Sequence, residues 1–338
     1  MKNGLALCMA GAALCAVTSI SRPAFAGDGK NLIKMIPADS QVVMVFDVAD
    51  ARDSALLQKG YSSLLAAKPD AKAKLDEIGL DVMKDIDTVL FAGSGKGGDL
   101  DDMSNMVIIV EGRIPTAKLA TMPDTKTSKY QGVTIYTKGD SDVAVLADRL
   151  YFTKANKMKG EIDLVMGKGK FKSLNAQASP KAAKLRDGIA KTDTNADLWL
   201  TVLVPDKAKA DMKAQGMSAD VVAVGVNFTA DISTALKIIT DSEATAQKAV
   251  AMIQGQLAQV SQAAGTFGLA KAAKSLMVSQ DKTAVNISVT ISEAELNSIM
   301  NLAGVSAGAA TPPPSTVKTT PGPRATPATP PTAPKKTP

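Results

Sequence analysis

The chain has 338 residues, with 39 Lys and Arg against 33 Asp and Glu, no histidine, and only two cysteines, Cys8 and Cys15. Without histidine there is no Ser–His or Cys–His nucleophile pair, and ordinary zinc and copper sites lose their usual ligands. Carboxylate chemistry, a Ser–Lys dyad and oxygen-ligand calcium or magnesium binding remain open.

In chain order, the first feature is an export signal over residues 1–26. Lys2 gives a positive start, Leu5 to Ile20 form an apolar run, and Pro23 breaks it ahead of Ala24-Phe25-Ala26, a small-residue cleavage site. The run is too short to span a bilayer, so no transmembrane segment is expected after cleavage. Lipidation is disfavoured at Cys15 by the bulky Leu14 before it, and Cys8 lies too early. Cleavage after Ala26 removes both cysteines, so the body enters an oxidising compartment without disulfides and relies on core burial. Roughly 275 residues, from Lys30 to Gly304, are available for that core. The expected address is periplasmic or extracellular in a bacterium.

A first α+β half is expected over residues 27–175. Val42 to Val48 is a β-rich run following Pro37-Ala38-Asp39-Ser40, with a helix from Ala51 to Ala67 and another from Ala71 to Ile78. Thr88 to Gly93 and Met106 to Glu111 read as strands around a loop, and Thr116 to Met122 as a short helix after Pro115. Val133 to Thr137, Val143 to Ala147 and Leu150 to Thr153 form a meander, and a helix from Lys157 to Met166 stops at Gly167.

The second half, 176–304, begins with a helix from Pro180 to Lys191 and a strand from Asp197 to Val204. Pro205-Asp206 opens a helix to Gln215, and Val221 to Thr229 and Ile232 to Thr240 form a hairpin. The strongest helix is Ser242 to Ala264, where Ala246, Val250, Ile253, Leu257 and Val260 recur at i+3/i+4, with Gly265 expected to end it. A short helix from Leu269 to Lys274, strands Met277–Ser279 and Thr283–Thr290, and a capping box Ser292–Glu295 into the last helix complete the body.

Both halves share one order of elements. Asp197–Val204 parallels Gln41–Val48, Asp220–Thr229 parallels Asp87–Gly93, and Asp281–Gly304 parallels Asp140–Gly167. The expected fold is therefore an internally duplicated α+β body, with antiparallel or mixed sheets and helices mainly on one face. These features (the Pro37–Ser40 lead-in, the unit Val143–Met166 and the capped helix Ser292–Ala303) resemble uncharacterised secreted bacterial proteins built from two α+β halves. That resemblance implies a duplicated fold and no particular activity.

Residues 305–338 form a tail of Pro, Thr, Ala and Lys, whose composition predicts disorder with polyproline-II character. Lys318, Arg324, Lys335 and Lys336 give it positive charge and it has no acid, so the body itself is close to neutral. The tail is a candidate tether to an anionic surface, whereas a basic nucleic-acid-binding face is not expected.

Four segments invite a chemical reading. Gly93–Gly98 looks like a phosphate cradle, but Lys96 is followed by Gly97, with no Ser or Thr and no following helix, so a hairpin loop is expected. Asp99, Asp101, Asp102 and Asn105 cluster oxygen ligands and form the candidate calcium site, although their spacing departs from the EF-hand loop. Ser279 and Lys282 have serine–lysine spacing, but at a turn between strands rather than on a helix. Asp47, Asp50 and Asp53, at the end of the first strand, suit helix capping.

The leading expectation is an exported, non-enzymatic, envelope-associated or interaction protein without catalytic residues or cofactor. The alternative is a ligand-binding protein using a groove between the halves. A carboxylate- or Ser–Lys-based hydrolase comes third.

Overall fold

Valine alternation builds the strand at the middle of the molecule. In β1 (Val42–Asp47), Val43 and Val45 are fully buried on one face, and the strand is hydrogen-bonded on both sides. The computed structural model describes residues 32–302 except 79, 96–104, 115, 122, 169–171 and 215. The signal segment 1–26, the tail 305–338, and Asp99, Asp101 and Asp102 lie outside the described residues.

One sheet of twelve strands, antiparallel throughout, organises the described chain. From the first part come β2 (Ile86–Ser94), β3 (Asn105–Gly112), β4 (Lys126–Tyr130), β5 (Val133–Lys138), β6 (Ser141–Leu146) and β7 (Arg149–Lys154). The second contributes β8 (Leu198–Leu203), β9 (Val221–Phe228), β10 (Ile232–Ile239), β11 (Met277–Asp281) and β12 (Ala284–Ile291). The order across the sheet is β11-β12-β10-β9-β8-β1-β2-β3-β7-β6-β5-β4.

Strand periodicity puts one residue from every strand into a single row on one face. The row runs Met277, Ser288, Ala235, Gly225, Trp199, Val45, Leu90, Ile109, Tyr151, Ala144, Ile135, Ser128. From Gly225 to Ile135 it is buried, and Trp199 is among the largest fully buried side chains. Toward β11 the cover ends: Ala235 is exposed and Met277 is 67% exposed.

The covering elements on that face are α5 (Met158–Val165), through Met158 and Ile162, and α6 (Pro180–Lys191), through Ala182, Leu185 and Ile189. Helix α6 starts where Ser179 Oγ accepts the Ala182 N–H at 3.2 Å, with Pro180 in the first turn. It packs so closely that a Cβ on Gly188 would lie 2.6 Å from Val221 Cγ1.

The opposite face carries α1 (Val48–Ala51), α2 (Ala55–Ala67), α3 (Pro69–Ile78) and α4 (Val82–Asp85) over Phe91, Ile108, Val110 and Phe152. After α7 (Asp206–Ala214), α8 (Glu243–Thr266) rests Ala246 and Val250 on Val285 of that same face, followed by α9 (Ala270–Ser275) and α10 (Glu293–Leu302).

Three local expectations change. The single helix expected from Ala51 to Ala67 is two, because Asp47 Oδ1 caps α1 through Asp50 N at 3.1 Å and Ser54 Oγ caps α2 through Leu57 N at 3.3 Å. The segment Thr116–Thr121 is a 3-10 helix. Helix α8 continues past Gly265 and stops at Gly268, whose φ of +76° is left-handed. Leu269 N–H bonds Ala264 O and Gly268 N–H bonds Gly265 O, which satisfies the last carbonyls.

Candidate functional site

The residues singled out by sequence fall in different places. Ser279 lies on β11 and Lys282 in the two-residue turn to β12, where its φ is +52°, and both are exposed. The local contact to Lys282 comes from Gln280, whose Nε2 donates to the Lys282 carbonyl at 2.9 Å. An acyl-enzyme pair needs the lysine facing its serine in a water-poor site, and the turn supplies neither condition.

At the end of β1, Asp47 is the cap of α1, while Asp50 and Asp53 are exposed. Burial raises the Asp47 carboxyl above its ordinary value, with Asp50 and Asp197 adding repulsion. The described part of the glycine-rich segment extends β2, and Ser94 pairs with Asn105 of β3, so the intervening residues join two hydrogen-bonded antiparallel strands.

Of the calcium candidates, only Asn105 is among the described residues. Its Nδ2 donates to Asp39 Oδ2 at 3.4 Å, and Ser94 Oγ approaches the same oxygen at 3.5 Å. Among the described residues, no group of three or more Asp, Glu, His or Cys side chains could hold a metal ion.

Sequence reading missed Glu161. It sits on α5 between Met158 and Ile162, both fully buried, and its Oε2 is buried without a hydrogen-bond partner among the described residues. Burial, with repulsion from Asp39, pushes its carboxyl up to about 7. The signal was present in the helical period, since position 161 adjoins the inward stripe formed by 158 and 162.

Two of the hollows on the surface bear on the candidate site. The larger, about 530 Å³, lies on the uncovered sheet face within the second half, lined by Lys191, Asp193, Ala235, Lys237, Met277 and Ser288 among others. The smaller, about 200 Å³, sits where β1 meets β8. Gln41 comes to it from the first half, and Lys181, Lys184, Asp206 and Lys209 from the first turns of α6 and α7. Beside it Lys184 and Lys209 both hold Asp220 Oδ1, at 2.9 and 2.8 Å. Against the desolvation that would raise it, those two ammonium groups hold the Asp220 carboxyl below its ordinary value.

Several exposed apolar side chains lie on and just after α8. Its buried residues, Ala246 and Val250, both lie in the first third, whereas Met252, Val260 and the following Phe267 are 42%, 46% and 53% exposed. The adjacent β11 is a sheet edge, partly capped where Gln254 Nε2 donates to Val278 O at 3.3 Å. No helix among the described residues is long and apolar enough to cross a membrane.

No protein-family model matches the chain, and no curated protein does. Among solved structures, it is similar to crystal form I of TP0453, with a TM-score of 0.46 and 12% identity over 81% of this chain and 97% of that one. Crystal form IV of TP0453 gives a TM-score of 0.47 and 12% identity over 79% of this chain and 95% of that one.

Proposed function

We propose that the chain is an exported, non-enzymatic interaction protein of a bacterial envelope or its exterior. The observation that carries this reading is the set of exposed apolar side chains on and just after α8 near the β11 edge, Met252, Val260 and Phe267. An isolated exposed apolar side chain needs no explanation, but several large ones gathered on one uncovered helix end beside a sheet edge suit a partner surface. The export signal supplies the address, and Lys318, Arg324, Lys335 and Lys336 of the tail supply a weak electrostatic contact to anionic envelope material. On this reading the protein has no catalytic residue and no cofactor.

The test is affinity capture from solubilised envelope with the full chain and with a form lacking 305–338. Retention of the same envelope component by both supports the body as the binding element. Retention by the full chain alone transfers the interaction to the tail, and retention by neither defeats the proposal.

A second reading, a ligand-binding protein using the junction of the halves, is favoured by the smaller cavity. Polar groups from both halves converge there, and its lysines suit a small anion. Calorimetric titration with inorganic phosphate or citrate, repeated on K184A and K209A, distinguishes it from the first.

A further inference from the structure

Helix α5 is held to the sheet by two fully buried side chains, Met158 and Ile162, and between them it carries a carboxylate oxygen with no described partner, Glu161 Oε2. A buried carboxylate oxygen without donors is costlier to hold charged than neutral. We propose that Glu161 is an acid-strengthened latch: protonated, it lets α5 dock tightly on β6 and β7, and its ionisation loosens that docking.

Among the described residues, the groups around it supply no compensating cation. The charged group that acts on Glu161 is Asp39, which repels it, and Asp39 is itself tied to Ser94 and Asn105 at the ends of β2 and β3. From β7, Tyr151 presents a buried hydroxyl that donates to Met35 Sδ at 2.8 Å, and burial keeps that phenol protonated far above neutrality. Arg149, on the same strand, is paired with Glu111. From β6, Asp142 is satisfied by Thr137 Oγ1 and Asn156 N–H, each at 2.7 Å. On α5 itself, Lys159 lies over the Tyr130 ring, 5.6 Å from its centroid, and Asp163 accepts from Tyr130 and Gln131.

The sign follows from linkage. With its folded value at about 7, against 4.5 for an ordinary Glu, the docked helix binds the proton more tightly than the released one. The stabilisation is complete below the ordinary value and is lost as pH rises through about 7.

The experiment follows amide hydrogen exchange of residues 158–165 in the full chain, corrected for intrinsic rates, at pH 5.5, 7 and 8.5. The opening constant of α5 should rise about 30-fold between pH 5.5 and 8.5, with most of the rise complete by pH 7.5. In E161Q, which keeps the shape and cannot ionise, it should stay flat. D39N should keep most of the rise, because burial is the larger cause. A wild-type profile parallel to that of E161Q overturns the proposal. Calcium at 1 mM abolishing the rise would also overturn it, because the carboxylates would then be a cation site rather than a proton latch.

Discussion

Met44 and Leu200 face each other at the middle of the β1–β8 pair, and the register is symmetric about them: Val42 meets Val202 and Phe46 meets Leu198. Outward from that pair the strand order repeats. One side runs β1, β2, β3, β7, β6 and the other β8, β9, β10, β12, β11, with β5 and β4 added beyond β6. Helices fall between the first two strands on each side (α1 to α4, and α7), and a helix follows the last strand (α5, and α10). The two halves are thus joined by backbone hydrogen bonds through the core rather than by a linker.

Joining of that kind predicts one cooperative transition. Trp199, the only tryptophan, is 1% exposed in the shared row and reports directly on the seam. Its fluorescence and far-UV circular dichroism should follow the same urea curve. W199A, which removes the fluorophore, should lower stability by about 3–5 kcal/mol, the range for truncating a large buried aromatic, read by circular dichroism as a single transition at a lower urea midpoint. Separated curves would mean that the halves unfold independently.

Glu295 yields a prediction of opposite pH sign to that of Glu161. It completes the capping box with Ser292, accepting its N–H at 3.1 Å and its hydroxyl at 2.7 Å, and also accepts the Ala272 N–H at 2.8 Å. Despite desolvation, these bonds hold its carboxyl below the ordinary value. The stabilisation is therefore present above about 4.5 and is lost as pH falls through the lowered value. E295A should cost about 1–3 kcal/mol at pH 7, because the Ala272 N–H loses its acceptor, and the deficit should shrink toward pH 3. Thermal melts of both proteins from pH 7 to pH 3 measure it.

Gly188 sets how closely α6 approaches the sheet. A Cβ there would also stand 2.9 Å from Thr201 Cγ2, so G188A must push the helix outward or distort β8 and β9. A loss of about 1–3 kcal/mol is expected, read as a lower urea midpoint with unchanged slope. An unchanged midpoint would show that α6 yields freely.

The strands with apolar alternation, such as β1, β8 and β9, were legible because one face of each is buried and period two survives in the sequence. Strand β4 was not. Lys126, Thr127, Ser128 and Lys129 are all exposed on the outermost strand, where pairing to β5 alone holds them extended and lysines guard the edge. The capping box was readable because it is local, whereas the bond from Ala272 to Glu295 spans 23 residues and leaves no local trace. Glu161 escaped for a related reason. A glutamate on a short helix normally faces water, and only packing against β6, β7 and the turn holding Asp39 makes it a buried charge. Of the exposed apolar residues on α8, only Val260 belongs to the periodic row legible in the sequence; that period predicted burial, which Ala246 and Val250 show against Val285 and Val260 does not.

The most direct test of the interaction proposal places charge on those exposed apolar side chains. V260E and F267E change exposed side chains and should leave the melting temperature within about 1 °C of wild type. In capture from solubilised envelope, the doubly substituted full chain should lose the component that the wild-type chain and the tail-deleted chain both retain. If the substituted chain retains that component undiminished, these side chains are not the partner surface and the account is contradicted.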